Sequence, residues 1–281
     1  MLWRALKSVE RGFYVDVGAN DPSIDSVTKA FYERGWSGIN IEPLLQHYLA
    51  LQNERSRDLN LQYAAGAVRG EIDLWECDVR GWASADESVI AMHSANGHQG
   101  IIHRVPVIPL SEVFADHVKG DIHFLKIDVE GFEKSVIDGV NFAIFRPWIL
   151  VIESTRPNST NESHEDWEEN ILFNDYLPAY FDGLNRFYVA KEHSELLVRL
   201  SYPPNVFDEF IHIEHLNSDL KAQQAGERAD IAEAKAQQAS ERADIAEAKA
   251  QQVDTILNAV YNSSSWRLTT PLRQLAKMLK R

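Results

Sequence analysis

The chain has a single cysteine, Cys77, among its 281 residues. One thiol cannot close an intramolecular disulfide, and we take it to exclude a cysteine-based zinc site as well. Such scarcity of cysteine is typical of proteins that work in a reducing compartment. We therefore expect a cytoplasmic protein without disulfides.

Long apolar segments are also missing from the N-terminus. The first residues include Arg4, Lys7, Glu10 and Arg11, so we expect neither a signal peptide nor a spanning helix there. Basic residues are few overall, with 28 Lys and Arg against 42 Asp and Glu and a net charge of -14. Because nucleic acid is bound through Lys and Arg, this charge disfavours nucleic acid as a partner.

The sequence contains no G-x-G-x-x-G motif, which disfavours NAD as a ligand. What is present is an apolar, strand-like run, Phe13–Val17, followed by the small turn residues 18–20. Such a run is typical of a strand that is buried on both faces. A helix is predicted to follow, capped at Asp25 or Ser26. A strand, a glycine turn and a helix in this order predict a nucleotide-binding crevice.

A second strand is predicted at residues 36–41, and it ends at Glu42 before a proline. Glu42 lies near the spacing from Gly18 at which nucleotide-binding α/β folds place a carboxylate that binds ribose hydroxyls. An exposed glutamate at the end of a strand is the alternative.

Two later strands also end in charged residues. The run 122–127 leads into a cluster of charges with Lys126, Asp128 and Glu130, and the run 148–152 ends at Glu153. Ligands of open α/β sheets bind at the carboxyl ends of the strands, so these charges are candidates for a functional site. A structural ion-pair cluster is the alternative.

Together these motifs resemble the FkbM family of S-adenosylmethionine-dependent methyltransferases. The resemblance rests on residues 15–20, 41–43, 125–133 and 151–153, and it spans about residues 12–210. It implies an α/β fold, in which a seven-stranded Rossmann-like sheet has helices on both faces. It also implies methyl transfer to an oxygen, commonly of a sugar or polyketide hydroxyl.

The resemblance further implies which residues form the site. The residues expected to bind S-adenosylmethionine are Asp16, Gly18, Asn20, Glu42 and Ala65. The residues expected to be catalytic are Lys126, Asp128 and Glu153. Asp128 and Glu153 end neighbouring strands, so that one acts as a base or the two hold a divalent ion, and the sequence does not choose between these roles. His164 is a spare candidate for the base.

An aromatic hairpin is predicted at residues 180–189, with Asp182 and Gly183 at its turn. This segment resembles family members encoded with cell-surface polysaccharide genes. The residues expected to bind a sugar acceptor are Glu130, Asp182, Asn185 and Arg186. A plain terminal hairpin is the alternative.

Two polar segments lack periodicity and are predicted as loops. Residues 78–100 are expected to form a surface loop or lid, and residues 158–169 a mobile loop or a solvated connector. His93, His98 and His103 are spaced five residues apart, which fits neither a helical nor a strand pair of metal ligands. A metal site at these histidines is therefore disfavoured.

Beyond residue 216 the composition changes to an alanine-rich repeat. Residues 221–234 recur almost unchanged as 235–248, and alanines alternate at steps of three and four. This pattern predicts a long helix that self-associates as a parallel coiled coil. A single solvated helix is the alternative, because alanine buries little area.

The last residues form a basic amphipathic tail. Its basic residues are Arg267, Arg273, Lys277, Lys280 and Arg281. Its apolar residues are Leu268, Leu272, Leu275, Ala276 and Leu279. Such a tail suits peripheral contact with an anionic membrane, with docking to a protein as the alternative. Residues 264–273 also resemble segments of bacterial polysaccharide-assembly glycosyltransferases.

The sequence thus predicts three parts: a methyltransferase domain at 1–215, an alanine-rich helix at 216–260 and the tail at 261–281. We expect a cytoplasmic O-methyltransferase, peripheral on the inner face of the plasma membrane, that modifies a sugar of a surface polysaccharide or lipid-linked glycan. A catalytically silent scaffold and another nucleotide-binding enzyme, such as a dehydrogenase, are the alternatives.

Overall fold

The computed structural model describes residues 1–79, 81–157, 159–208 and 213–279. Asn158, at the start of the predicted acidic loop, and Lys280 and Arg281, at the end of the predicted tail, lie outside these residues. The chain forms two compact units, Met1–Glu209 and Phe210–Arg281.

The described residues contain strands and helices in alternation. The strands are β1 (Phe13–Val17), β2 (Ser37–Ile41), β3 (Leu59–Leu61), β4 (Ala64–Ala65), β5 (Gly70–Cys77), β6 (Ala83–Ser84), β7 (Gly100–Ile108), β8 (Phe124–Ile127), β9 (Ile149–Glu153), β10 (Tyr176–Phe181) and β11 (Asn185–Ala190). The helices are α1 (Leu2–Leu6), α2 (Lys29–Glu33), α3 (Leu45–Glu54), α4 (Glu87–Ala95), α5 (Leu110–His117), α6 (Glu133–Asp138), α7 (Glu168–Phe173), α8 (Leu197–Leu200), α9 (Ile213–Asn262), α10 (Ser264–Leu268) and α11 (Thr270–Met278). Short 3-10 segments lie at His164–Asp166, Lys191–Leu196 and Val206–Asp208.

The larger sheet has seven strands in the order β10-β11-β9-β8-β1-β2-β3. The strands from β9 to β3 are parallel, whereas β11 runs antiparallel to both β9 and β10. The predicted α/β class, the seven-stranded sheet and the aromatic hairpin at β10 and β11 are therefore confirmed.

Apolar clusters cover this sheet on both faces. Tyr14 of β1 packs with Phe124 in one cluster, whereas Val15 and Val17 pack with Leu125 in the other. Helices α1, α2 and α8 contribute to the first cluster, and α5, α6 and α7 to the second. Because both faces of the central strands are buried, their sequences are largely apolar rather than alternating.

A second sheet of four strands, β4-β7-β5-β6, was not predicted. Its main feature is the antiparallel pair β5 and β7, which are separated in sequence by residues 78–99. A small apolar cluster that includes Leu74, Val105 and Val107 packs against Leu44 at the start of α3.

The prediction of residues 78–100 as an irregular loop was wrong. β6 pairs with β5, and α4 begins at Asp86, whose side chain accepts hydrogen bonds from the N–H groups of Ser88 (2.7 Å) and Val89 (3.2 Å). Only Val89 and His93 of this helix are buried. Two buried positions one turn apart are too few to give a visible helical period.

The predicted helix after the first turn begins later than expected. α2 starts after Thr28 rather than at Asp25 or Ser26. The Thr28 hydroxyl does not cap the helix, because it donates to Oδ2 of Asp16 (3.0 Å). The prediction that Asp25 or Ser26 caps this helix was therefore wrong, and the Thr28 hydroxyl at its start bonds to Asp16 of β1 instead.

In the C-terminal unit, α9 is 50 residues long, which confirms the predicted long helix. Its apolar side chains are exposed, with Ile231 and Ile245 each 57% accessible. The tail continues as α10 and α11 after a break at Ser263, whose side chain accepts a hydrogen bond from the Trp266 N–H (3.3 Å). Pairing of α9 as a coiled coil stays a prediction.

None of the helices in the described ranges is both long enough and apolar enough to cross a bilayer.

Candidate functional site

A cavity lies at the carboxyl ends of β1, β2 and β8. β1 pairs in parallel with β2 on one side and with β8 on the other, so the strand order reverses at β1. A crevice opens at such a reversal because the connections on either side of it lead away in opposite directions. The cavity has a volume of about 530 Å³. The predicted site residues that line it are Gly18, Asn20, Glu42, Ala65, Lys126, Asp128 and Glu130.

Gly18 brings the main chain close to the strand β8. Its φ is +74°, and a Cβ atom at this position would lie 1.9 Å from the carbonyl oxygen of Asp128. The N–H of Gly18 donates to the Ile41 carbonyl (3.0 Å), which ties the turn to β2. Only glycine satisfies both the left-handed backbone and this close approach.

Glu42 holds two segments of the cavity wall together. Its Oε2 accepts a hydrogen bond from the N–H of Asn20 (2.8 Å), and its Oε1 accepts one from the N–H of Leu44 (2.8 Å). Burial raises the pKa of Glu42 to about 7, although these two hydrogen bonds oppose the shift. Each oxygen keeps a lone pair for a ligand. The side-chain oxygen of Asn20, which is buried, has no partner among the described residues.

Lys126 is a buried ammonium between two carboxylates. Its Nζ lies 3.3 Å from Asp16 and 3.3 Å from Asp128, and it donates to the Gly18 carbonyl (3.0 Å). Burial alone would lower the pKa of Lys126, but the charges of Asp128 and Asp16 outweigh it and raise the pKa. Lys126 therefore stays charged and positions its neighbours rather than accepting a proton.

Asp16 was predicted to contact the cofactor, but it lies behind the cavity wall. Its side chain is 2% exposed and is held by Lys126 and by the Thr28 hydroxyl (3.0 Å). The residue does not line the cavity. Its contribution is to fix the end of β1 and the position of Lys126.

Glu153, predicted as a base or metal ligand, is buried among like charges. It is 6% exposed, and its Oε2 has no hydrogen-bond partner in the described part of the chain. Burial raises the pKa of Glu153 strongly, and the charges of Asp128, Glu130 and Glu133 raise it further. Glu153 therefore carries a proton at neutral pH, which argues against a role as the base.

A left-handed turn follows β8 and carries Glu130. Glu130 and Gly131 have φ values of +52° and +99°. The turn is fixed by Glu133, whose Oε1 accepts hydrogen bonds from the N–H groups of Val129 and Gly131, both at 3.1 Å. Burial and the charge of Asp128 raise the pKa of Glu130 to about 8. Sequence reasoning assigned no role to Glu133, which is the first residue of α6.

The apolar part of the cavity wall was not predicted. It comes largely from the smaller sheet and from the segments beside it. The main contributors are Tyr63, Ala64, Ile72, Leu74, Trp82 and Phe132. Their positions depend on the pairing of β5 with β7. A long connection separates these two strands, so their pairing leaves no local signal in the sequence.

The predicted acceptor residues of the hairpin lie outside the cavity at the strand reversal, and outside a second cavity of about 310 Å³ that is lined by α4 and by the segment after β9. Asp182 caps the turn by accepting hydrogen bonds from the N–H groups of Leu184 (2.9 Å) and Asn185 (2.7 Å). Arg186 forms an ion pair with Glu162 and lies 3.7 Å from Glu168. The contacts of Arg186 fasten the segment after β9, whereas those of Asp182 stay within the hairpin turn. Neither set supports a direct acceptor role.

His164, the spare candidate for the base, contacts the same two glutamates as Arg186. Its Nδ1 lies 3.1 Å from Glu162 and its Nε2 lies 3.6 Å from Glu168. It lines neither of the two cavities. The position of His164 therefore supports a structural role.

The predicted histidines divide between two environments. His103 contacts Glu76 (2.7 Å), whereas His93 packs between Trp75 and Trp82. In the described ranges, the one group that brings three candidate metal-ligand atoms within 4.8 Å of one another is Cys77, Asp78 and His98. Asp128 and Glu153 do not form such a group with a third ligand.

The seven-stranded, mostly parallel sheet and the cavity at its strand reversal define an α/β protein with a candidate binding site at the carboxyl ends of its central strands. Residues 16–178 match the methyltransferase FkbM domain. This match covers more than half of the chain, and the chain therefore belongs to the FkbM methyltransferase family.

A solved structure also resembles the chain. It is the crystal structure of methyltransferase FkbM from Methylobacillus flagellatus KT, with 20% sequence identity and a TM-score of 0.41. The match covers 64% of this chain and 44% of that one, so this chain spans less than half of its length. No curated protein matches the chain.

Proposed function

We propose that the chain is an S-adenosylmethionine-dependent O-methyltransferase. Its acceptor is a sugar hydroxyl of a cell-surface polysaccharide or a lipid-linked glycan. The observation that carries the proposal is the cavity at the strand reversal. Glu42 and Asn20 line this cavity, and the side-chain oxygen of Asn20 has no partner among the described residues. The chain that contains it belongs to the FkbM family.

The lining of the cavity fits this cofactor in both charge and polarity. S-adenosylmethionine carries a sulfonium and an ammonium, and the lining includes Glu42, Asp128 and Glu130. The open lone pairs of Glu42 suit ribose hydroxyls, and the Asn20 oxygen suits a donor such as the ammonium. The apolar wall around Tyr63 and Leu74 suits a purine ring.

The cofactor supplies an activated methyl group, so the chain's residues have to orient the acceptor, exclude water and take up one proton. Asp128 is placed for the last task. It lines the cavity, its side chain is 36% exposed, and Lys126 lies beside it. Burial and the neighbouring carboxyls raise the pKa of Glu153, so we assign the role of base to Asp128 alone.

The C-terminal unit adds two proposals about location. We propose that α9 self-associates through its alanine face, and that α10 and α11 lie on the inner, anionic face of the plasma membrane. The exposed Leu268, Leu272 and Leu275 support the second proposal, since they are 80%, 70% and 61% accessible. Both proposals are consistent with a cytoplasmic enzyme that acts on membrane-linked glycans.

Calorimetry with S-adenosylmethionine and with NAD tests the cofactor. We expect saturable binding of S-adenosylmethionine and none of NAD. Transfer of a labelled methyl group to surface glycan prepared from a strain without the gene tests the reaction. The label should be recovered as an O-methyl sugar after hydrolysis. Binding of the cofactor without any transfer would instead favour a catalytically silent scaffold.

A further inference from the structure

A second cavity lies beside the first at the same edge of the large sheet. It has a volume of about 310 Å³. Its walls come from α4, from the turn after β8 and from the segment after β9. The turn at Glu130 and Gly131 separates the two cavities, because Glu130 lines the first and Gly131 lines the second. A ligand in the second cavity would therefore lie next to the carboxyl cluster of Asp128, Glu130, Glu133 and Glu153.

Two hydrogen-bonding groups in this cavity wall have no partner among the described residues. Trp167 is 3% exposed and its Nε1 is buried without an acceptor. The hydroxyl oxygen of Ser163 is also buried without a partner. Both residues line the second cavity. Buried donors without acceptors are unfavourable, so these atoms point to a polar ligand.

The ring of Trp167 is fixed, although its buried N–H has no acceptor among the described residues. It packs against Tyr188 with the ring centroids 6.1 Å apart and an interplanar angle of 73°. The segment that carries it is held by the Ser163 N–H, which donates to the Ser154 carbonyl (2.8 Å), and by the ion pair of Glu162 with Arg186. A rigidly placed N–H donor without an acceptor is characteristic of a binding site rather than of a mobile loop.

The charges around the cavity favour a neutral ligand. The lining carries three acids, Asp86, Glu133 and Asp166, and two bases, Lys134 and Arg156. Two of the acids and one base are engaged within the chain, since Asp86 caps α4, Glu133 accepts from the N–H groups of Val129 and Gly131, and Lys134 contacts Asp138 (2.6 Å). A balanced set of donors and acceptors matches a polyhydroxylated ring, in which each hydroxyl both donates and accepts. An anionic ligand would call for an excess of basic residues.

We propose that this second cavity binds the sugar ring of the acceptor, with Trp167 and Ser163 as the residues that recognise its hydroxyls. The proposal rests on the methyltransferase function proposed above, and it replaces the hairpin residues expected from the sequence. It places the acceptor next to the turn at Glu130 and Gly131, and Glu130 and Asp128 line the first cavity beside that turn.

Direct binding of sugars tests the assignment without knowledge of the natural acceptor. The probe is a panel of neutral methyl hexopyranosides and methyl 6-deoxyhexopyranosides, measured by saturation-transfer NMR on the full chain. At least one glycoside should bind the wild-type protein. Trp167→Phe removes the N–H but keeps an aromatic ring, and Ser163→Ala removes the hydroxyl, so each should weaken binding by about tenfold.

The matched control is Trp148→Phe. Trp148 stacks on His193 (4.2 Å between ring centroids) and lies in neither cavity. This variant should bind glycosides like the wild type. If Trp167→Phe fails to fold, Ser163→Ala, which replaces a smaller group, carries the test. Absence of binding by the wild type, or unchanged binding by both cavity variants, overturns the assignment.

Calorimetry on the same samples separates this inference from the proposed function. The cavity variants should bind S-adenosylmethionine with wild-type affinity, because neither residue lines the first cavity. If glycosides bind as expected but S-adenosylmethionine does not, the proposed function fails while the sugar site stands. If S-adenosylmethionine binds but no glycoside does, the sugar site fails while the cofactor assignment stands.

Discussion

Replacing Glu153 by glutamine should stabilise the protein at neutral pH. Glu153 is 6% exposed and lies near the carboxyls of Asp128, Glu130 and Glu133. Its pKa rises from an ordinary value of 4.5 to well above neutrality. In the unfolded chain the carboxyl is ionised at pH 7, so folding has to return a proton to it. Glutamine has the shape of the protonated acid and needs no proton.

The size of the effect follows from the pH. Each unit above the unfolded pKa costs the wild type about 1.4 kcal/mol until the folded pKa is reached. At pH 7 this amounts to about 3 kcal/mol, and at pH 5 to less than about 1 kcal/mol. A poorer hydrogen bond from the amide offsets about 1 kcal/mol. The wild type should therefore lose stability as the pH rises from 5 to 7, and Glu153→Gln should lose less.

Urea unfolding at pH 5.0, 6.0 and 7.0 measures this difference. The stability gain of Glu153→Gln over the wild type should grow with pH, to about 1–3 kcal/mol at pH 7. Glu165→Gln, an exposed position in the 3-10 segment His164–Asp166, is the control and should show no such trend. A variant that is less stable at every pH, by a constant amount, would refute the reasoning and show that Glu153 is ionised in the folded protein.

Three further predictions concern the cofactor, the chemistry and the tail. Glu42→Gln should weaken binding of S-adenosylmethionine by about 1.5–3 kcal/mol in calorimetry, because a charge-assisted acceptor is lost, and unchanged affinity would remove Glu42 from the site. Asp128→Asn should keep cofactor affinity and lose about 100-fold or more in turnover, whereas Asp182→Asn, outside both cavities, should keep its activity. Deletion of residues 261–281 should abolish salt-sensitive sedimentation with anionic vesicles without reducing methylation of a soluble acceptor, and equal binding to neutral vesicles would contradict the membrane proposal.

The sequence was informative where burial acts on consecutive residues. β1, β2, β8 and β9 are buried on both faces, so each is a largely apolar run, and its carboxyl end is marked by Gly18, Glu42, Asp128 or Glu153. The run and its end are both local signals. Together with the family resemblance, these signals predict Gly18, Asn20, Glu42 and Asp128 as site residues, and all four line the first cavity.

The parts that were missed depend on contacts between distant segments. β7 has exposed residues along most of its length, and its pairing with β5 spans a long connection, so neither a run nor an alternation marks it. Without this sheet the apolar wall of the cavity cannot be placed. The second cavity likewise depends on α4 meeting the segment after β9. In the sequence Trp167 cannot be told from an ordinary core residue. Only the tertiary structure shows that its N–H has no partner among the described residues.

Asp128 and Glu153 illustrate why strand ends alone do not assign chemistry. Both follow buried runs on neighbouring strands, and from the sequence they are equivalent candidates for a base. Lys126 lies 3.3 Å from Asp128, whereas the charged groups that act on Glu153 are three carboxyls. Adjacent anions favour the protonated form of a carboxyl, and with burial they raise the pKa of Glu153. This is why we propose Asp128, which lines the first cavity, rather than Glu153 as the base.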